Sequence, residues 1–253
     1  MKTLGIIAGL GPLAGAHFYR RVIELSPAIS DAEHIPVILI SEPSIPSRIE
    51  HLSGSGESPV PKLVDVAEKL VHAGANLIAM PSTTTSIYHE QIASQIPIPM
   101  ISLIEEVADT VEKSGKRKIG IMGTTPTRTF RVYENAFHKT GIEAVYPDEK
   151  TQSEIMEVIT AVKSASASGF SSQVGRADDS IKELGKQAVQ LAQKPWSQDL
   201  DGILLACTEL PVIFPPDASV VPKLRGALFR STDILATAVI RELYACDYLV
   251  PSL

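Results

Sequence analysis

The sequence predicts an α/β protein made of two similar halves. Three observations carry this. Short apolar runs alternate with helical patterns, the apolar runs are about strand length rather than helix length, and the order of segments in the first half recurs in the second.

In order, "TLGIIAG" reads as a strand and "AGAHFYRRVIEL" as a helix. "PVILISE" is a strand, and "PKLVDVAEKLVHAG" is a helix that stops at Gly74. "NLIAMP" is a strand, "SIYHEQIASQI" a helix, "PMISLI" a strand and "EEVADTVEKSG" a helix. The cycle restarts with "RKIGIMG" as a strand and "TRTFRVYENAFHKTG" as one helix. "EAVYP" is a strand, "QSEIMEVITAVKS" and "SIKELGKQAVQLAQ" are helices, and "DGILLAC" is a strand. "TDILATAVIRELYA" closes the chain as a helix. Two stretches read as loops, "SGSGESPVP" and "SASASGFSSQVG". The first lies between a strand and a helix, where a lid can sit, although a plain solvated loop explains either one.

The 253 residues suit one large domain or two small ones. Apolar residues make up 44% and charged residues 21%, which is ordinary for a globular protein, and the net charge of −6 leaves no electrostatic footprint for nucleic acid. No apolar run approaches a membrane span. Lys2 and the apolar run after it imitate a signal peptide, but Gly5, Gly9, Gly11 and Pro12 break the run, and it reads as a first strand and turn. Two cysteines, Cys207 and Cys246, argue against a disulfide framework and fit a reducing cytoplasm. Cys246 reads as packing on a helix. No Cys/His cluster has zinc spacing, so no metal is expected. "GLGPLAG" lacks the phosphate-binding glycine fingerprint, so no nucleotide cofactor is expected either.

The repeat points to the chemistry. Leu4 to Gly9 resembles Ile119 to Thr124, and Asn76 to Thr83 resembles Asp201 to Thr208. Ser82 and Cys207 then occupy equivalent places, each just past a strand. Ligands of open α/β sheets bind outside the C-terminal strand ends, and two such halves facing each other form a cleft. A thiol and a hydroxyl facing one carbon suit removal of a proton on one side and its return on the other. A helix start beside Cys207 is expected to lower its pKa. Thr83, Thr84, Thr85 and Thr208 can donate to a carboxylate on which charge develops. His89 reads as a solvated histidine.

At these residues the chain resembles the aspartate/glutamate racemase superfamily, most of all its cofactor-independent aspartate racemases. The segments that carry the resemblance are "GIIAGLGPLAGAHFYRRVIE", "IPSRIEHL", "MPSTTTSIYHEQI", "YPDEKTQSEIMEVITAVKSA" and "LLACTELPVI". The resemblance implies two pseudo-symmetric α/β domains, each a parallel-sheet three-layer sandwich, with the active site in the interdomain cleft. The domains are expected at 1–101 plus 225–253, and at 102–224. It implies two thiols as paired acid and base on an amino-acid Cα, and a homodimer. Cys207 matches the second thiol. Arg48 and Lys163 match basic positions that assist catalysis and hold substrate. Thr83 and Thr84 match the positions that bind the α-carboxylate. Thr124, Thr208 and Leu10 match further substrate-binding positions.

The chain departs from the pattern at the first thiol, which is Ser82, at Thr83 and Ser86 in the same motif, and at Arg230, where the family usually has Asp. A serine hydroxyl is a far weaker acid than a thiol. If the gap is roughly five pKa units, its oxyanion costs about 7 kcal/mol more. Three expectations follow. The first is a slow or one-sided racemase of acidic amino acids. The second is a one-base lyase or isomerase of the malonate-decarboxylase type that uses Cys207 alone. The third is a ligand-binding homologue without catalysis. An engineered Cys→Ser change at position 82 is a fourth possibility, and Thr83 and Ser86 argue against it.

Overall fold

The computed structural model describes residues 2–167, 176–214 and 227–244. The chain divides into two compact units, Met1–Glu106 with Thr232–Leu253, and Val107–Ser231.

The first unit is built on strands β1 (Leu4–Ala8), β2 (Val37–Ser41) and β3 (Leu77–Ala79). All pair in parallel, in the order β2-β1-β3. Helix α1 (Pro12–Leu25) connects β1 to β2, with Pro12 in its first turn, where a missing N–H costs nothing. Helices α2 (Arg48–Leu52) and α3 (Val60–His72) precede β3. From β1 the chain steps to one side and then returns past it. Right-handed crossovers therefore place α1 and α3 on opposite faces of the sheet. Both helices pack on β1, whose five residues are all buried. After β3 come a 3₁₀ turn (Thr84–Tyr88), helix α4 (His89–Ala93) and helix α5 (Leu103–Lys113).

The second unit repeats the arrangement. Its strands are β4 (Lys118–Met122), β5 (Glu143–Val145), β6 (Gly202–Leu205) and β7 (Ala227–Arg230), all parallel and in the order β5-β4-β6-β7. The first three strands are thus ordered as in the first unit. Helices α6 (Thr125–Thr129) and α7 (Glu134–Lys139) precede β5. Helices α8 (Glu149–Ala167) and α9 (Arg176–Ala192) precede β6, and α10 (Leu210–Ile213) follows it. The final helix α11 (Ser231–Tyr244) is fastened into the first unit. Asp233 takes two bonds from Arg21 of α1, at 2.8 and 3.1 Å, and Arg241 forms a two-pronged pair with Glu106 of α5.

Several expectations change. "PMISLI" forms only an isolated bridge between Met100 and Ile78. Pro97 and Pro99 have no N–H to give a ladder, so the run adds one rung to β3 and stops. The helix expected over "TRTFRVYENAFHKTG" breaks into α6 and α7 around Arg131, which holds a left-handed φ of 49°. The break lets Val132 and Tyr133 turn into the core, and their branched and aromatic side chains favour helix only weakly. Strand β7 is an addition that the apolar pattern did not announce. His89 is half-buried, with Nε2 2.9 Å from the carbonyl oxygen of Met100, and so is not a solvated residue. Of the stretch expected as a second loop, residues 164–167 belong to α8. The rest of it, and Cys246, lie outside the described residues.

One glycine controls the first strand end. Gly9 sits at φ 97°, and a Cβ there would lie 2.5 Å from the backbone nitrogen and carbonyl carbon of Glu42. Gly9→Ala therefore combines left-handed strain with a backbone clash. It should lower stability by about 2 kcal/mol or more, read as a fall in the urea midpoint.

Candidate functional site

In each unit the strand order reverses beside the first strand, β1 or β4. A crevice opens there between the C-terminal ends of β1 and β3, and of β4 and β6, because the crossovers on either side leave in opposite directions. The singled-out residues lie largely at these reversals. Leu10 follows β1 and Ser82 follows β3. Thr124 follows β4 and Cys207 follows β6.

In the first unit, Ser82, Thr83, Thr85 and Ser86 are buried and Thr84 is half-buried. The turn is held by its own hydroxyls. Ser86 donates its N–H and its Oγ to the Ser82 carbonyl, at 3.0 and 2.8 Å. Ser82 Oγ and Thr85 Oγ1 share one hydrogen bond of 2.7 Å. Two hydroxyls joined by one bond have one donor proton to spare. The cluster is therefore less open than its sequence suggests: Thr85 and Ser86 hold Ser82, and one O–H remains to be offered.

Arg48 begins α2 and is half-buried. It lies close enough to Tyr88, at the end of the same 3₁₀ turn, to act on its phenol. Burial raises the Tyr88 pKa and the Arg48 charge opposes the rise. The Tyr88 hydroxyl is buried and has no hydrogen-bond partner among the described residues, and the His51 ring lies 5.8 Å from the Tyr88 ring. Nothing in the sequence singled out His51, or Tyr88, which reads as an ordinary helix residue. Leu10 packs in the same apolar cluster as Ile45 and Tyr88.

The second unit carries charge. Met122 of β4 pairs with Leu205 of β6, and the ladder continues from Ala206 N–H to the Met122 carbonyl at 2.8 Å. Thr124 and Cys207 thus each stand two residues beyond a paired position. Thr124 caps α6, accepting from Thr127 N–H at 3.3 Å. Cys207 is 4% exposed, and its thiol donates to Glu209 Oε2 at 2.9 Å. Thr208 Oγ1 lies 3.5 Å from the same oxygen. Lys163 of α8 stands 3.6 Å from the other oxygen, Oε1, which is buried and accepts no hydrogen bond among the described residues. Glu209 itself is 4% exposed, whereas the Lys163 side chain is 47% exposed.

This geometry reverses the expected shift at Cys207. Burial, then the Glu209 charge, push the thiol pKa well above its ordinary value, and Lys163 opposes them only in part. Helix α10 has four residues and starts three positions later, so no helix dipole offsets the burial. Glu209 was visible in the sequence only as a neighbour of Cys207. Its role needed the fold, which turns its carboxylate back onto the thiol. Arg230, at the end of β7, donates to the Phe214 carbonyl at 3.3 Å, with its guanidinium 6.0 Å from the Phe214 ring centre. No group of His, Cys, Asp and Glu suited to a metal occurs among the described residues, and no described helix is long and apolar enough to cross a membrane.

Comparison with known proteins supplies the kinship. Residues 7–239 match the family model described as Asp/Glu/Hydantoin racemase. A broad specificity amino-acid racemase of Bacillus subtilis (strain 168) is 25% identical over 226 residues, covering 87% of this chain and 90% of the relative. Among solved structures, the Picrophilus torridus aspartate racemase superposes with a TM-score of 0.77 at 26% identity, over 96% of this chain and 94% of that one. An aspartate racemase homologue from Pyrococcus horikoshii OT3 gives 0.70 at 24% identity, over 97% and 100%.

The raised thiol pKa has a stability consequence. A group whose folded pKa lies above its unfolded value of about 8.5 contributes stability that is complete below that pH and is lost as pH rises past it. Between pH 8 and 10 the protein should therefore lose more melting temperature than its Cys207→Ala variant. Parallel curves would show that the thiol does not titrate differently on unfolding.

Proposed function

The chain belongs to the Asp/Glu/Hydantoin racemase family, and within it we propose a cofactor-independent amino-acid racemase of aspartate or glutamate, slow or one-sided. The observation that carries this reading is the Cys207 thiol, buried at the β6 strand end and hydrogen-bonded to a carboxylate. Such a thiol can lend and take back a proton without metal or cofactor.

In this reading Cys207 carries the proton transfer at the substrate Cα, and Ser82 serves as a donor. Ser82 is suited to giving a proton or a hydrogen bond, because its pair with Thr85 has one O–H to spare. It is a poor base, because its oxyanion is costly. Thr83, Thr84 and Thr208 hold the α-carboxylate as charge develops on it, and Thr124 and Leu10 complete the binding surface. Arg48 and Lys163 supply two cations, more than a monocarboxylate needs, and so favour a dicarboxylic substrate. The relatives named as aspartate and amino-acid racemases support that substrate class. We place the enzyme in the cytoplasm as a homodimer acting on a small molecule.

The shared Ser82–Thr85 bond favours one alternative. A turn that donates but does not abstract also suits a one-base decarboxylase, in which Cys207 protonates an enediolate.

Incubation with L- and D-aspartate or glutamate in D₂O, followed by NMR, separates these readings. The racemase exchanges the Cα proton of at least one enantiomer, and Cys207→Ala lowers exchange by about 10² or more. Silence with all four amino acids at high enzyme concentration would sink the proposal, and CO₂ release from a substituted malonate would replace it. If Ser82 stands at a proton-transfer position, Ser82→Cys should speed racemisation and make the two enantiomers' rates more alike. An unchanged ratio would remove Ser82 from proton transfer.

A further inference from the structure

We propose that Thr85 is a positioning residue for Ser82: its hydroxyl donates to Ser82 Oγ, so that the Ser82 proton is the one left for the substrate. The direction of this bond is argued from burial, and its use in catalysis rests on the racemase reading.

Two hydroxyl oxygens 2.7 Å apart share one proton, and either group can supply it. Burial decides which. Thr85 is 0% exposed, and its Oγ1 has Ser82 Oγ as its one hydrogen-bond partner among the described residues. If Ser82 donated, the Thr85 proton would be left in a dry place with no acceptor, which is the costly way to bury a hydroxyl. If Thr85 donates, the spare proton is on Ser82. That residue stands just past β3 and keeps 4% exposure, so a water or a ligand can meet it. Ser86 cannot take over the task. Its Oγ donates to the Ser82 carbonyl at 2.8 Å, and so it fixes the Ser82 backbone and not the Ser82 hydroxyl. Thr85, expected from the sequence to donate to the substrate, acts instead through Ser82.

This arrangement makes Ser82 a giver of protons. The Cys207 thiolate takes the α-hydrogen, and the electron pair left on Cα then draws the Ser82 proton. The Oγ–H bond breaks as the new Cα–H bond forms, and the negative charge stays on Ser82 Oγ. Thr85 already aims its O–H at that oxygen, so its bond tightens onto the charge without reorganisation. As product leaves, water returns a proton to Ser82, and the hydroxide so formed takes the Cys207 thiol proton and restores the thiolate. In the resting turn the Thr85 bond occupies a lone pair of Ser82, which makes the neutral hydroxyl a poorer acceptor still. The one-sidedness thus comes from the neighbour as well as from the serine.

The test compares the full chain with Thr85→Val, which keeps the shape and removes the O–H, and with Thr85→Ser, which keeps the O–H. Each is incubated with aspartate or glutamate in D₂O. Deuterium in the recovered enantiomer measures exchange at Cys207. The amount of the other enantiomer, from chiral chromatography, measures the proton given by the second donor. In Thr85→Val the ratio of inversion to exchange should fall by about 10- to 100-fold, as for a lost hydrogen bond to a charged group. Thr85→Ser should return it toward the parent value. A merely structural role slows both rates together and leaves the ratio alone. An unmoved ratio in Thr85→Val, or exchange without inversion in the parent, overturns the proposal. Thermal melting tests the bond without substrate. Ser82→Ala leaves the Thr85 proton with no acceptor and should lower the melting temperature by about 2–4 °C, and adding Thr85→Val should recover most of that loss. Additive losses, or a loss in Thr85→Val that Ser82→Ala repairs, overturn the assigned direction. If none of the amino acids exchanges, the racemase reading fails, and the melting comparison alone decides the Thr85 bond.

Discussion

A parallel strand must end in a polar turn, and where strand order reverses, two such turns lie side by side with no crossover above them. This constraint arranges each unit of the protein. In the first, β1 and β3 end together, and in the second β4 and β6 do. The first strand of each unit, β1 or β4, is laddered on both sides, so what the crevice can do depends on the few residues just past the last rung. Position within the sheet fixes where chemistry can occur, and side chains decide which chemistry it is.

The two crevices answer differently. Past β3 the side chains are neutral hydroxyls that satisfy one another, with Ser82 held by Thr85 and Ser86. Past β6 there is a thiol, a carboxylate and, from α8, an ammonium. Burial acts on these sets in opposite ways. Hydroxyls lose little when desolvated if each finds a partner. A buried carboxylate must be compensated, and that need binds Cys207 and Lys163 to Glu209. One strand end is stable as a donor. The other is an electrostatic balance among a thiol, a carboxylate and an ammonium.

The α/β class, most helices and six of the strands were legible in the sequence, because a buried parallel strand has to be an apolar run and an amphipathic helix has to repeat its apolar face. What failed was set by neighbours. "PMISLI" has the composition of a strand, but the prolines before Met100 cannot supply a ladder. The helix across Arg131 was a fair reading of spacing, yet burial of Tyr133 and Phe137 outweighed it. Strand β7 is visible only through its register with β6. The positions of Ser82 and Cys207 were legible through the repeat. Their states were not, because a pKa depends on burial and on charges brought in from elsewhere, here the lysine of α8.

That distinction bears on the proposed reading, in which one strand end offers a thiol and the other a hydroxyl. Replacing one thiol by a hydroxyl leaves a group that gives a proton far more readily than it takes one. The burden of taking a proton then falls on the other side, and a thiol buried as deeply as Cys207 would be poorly placed to bear it alone. Its charged neighbours decide how large that difficulty is. The Glu209 charge at hydrogen-bond distance adds to the cost of a thiolate, and Lys163 offsets that cost only in part. In the reading proposed above, the difference between the two strand ends has a direction: we assign abstraction to Cys207 and donation to Ser82.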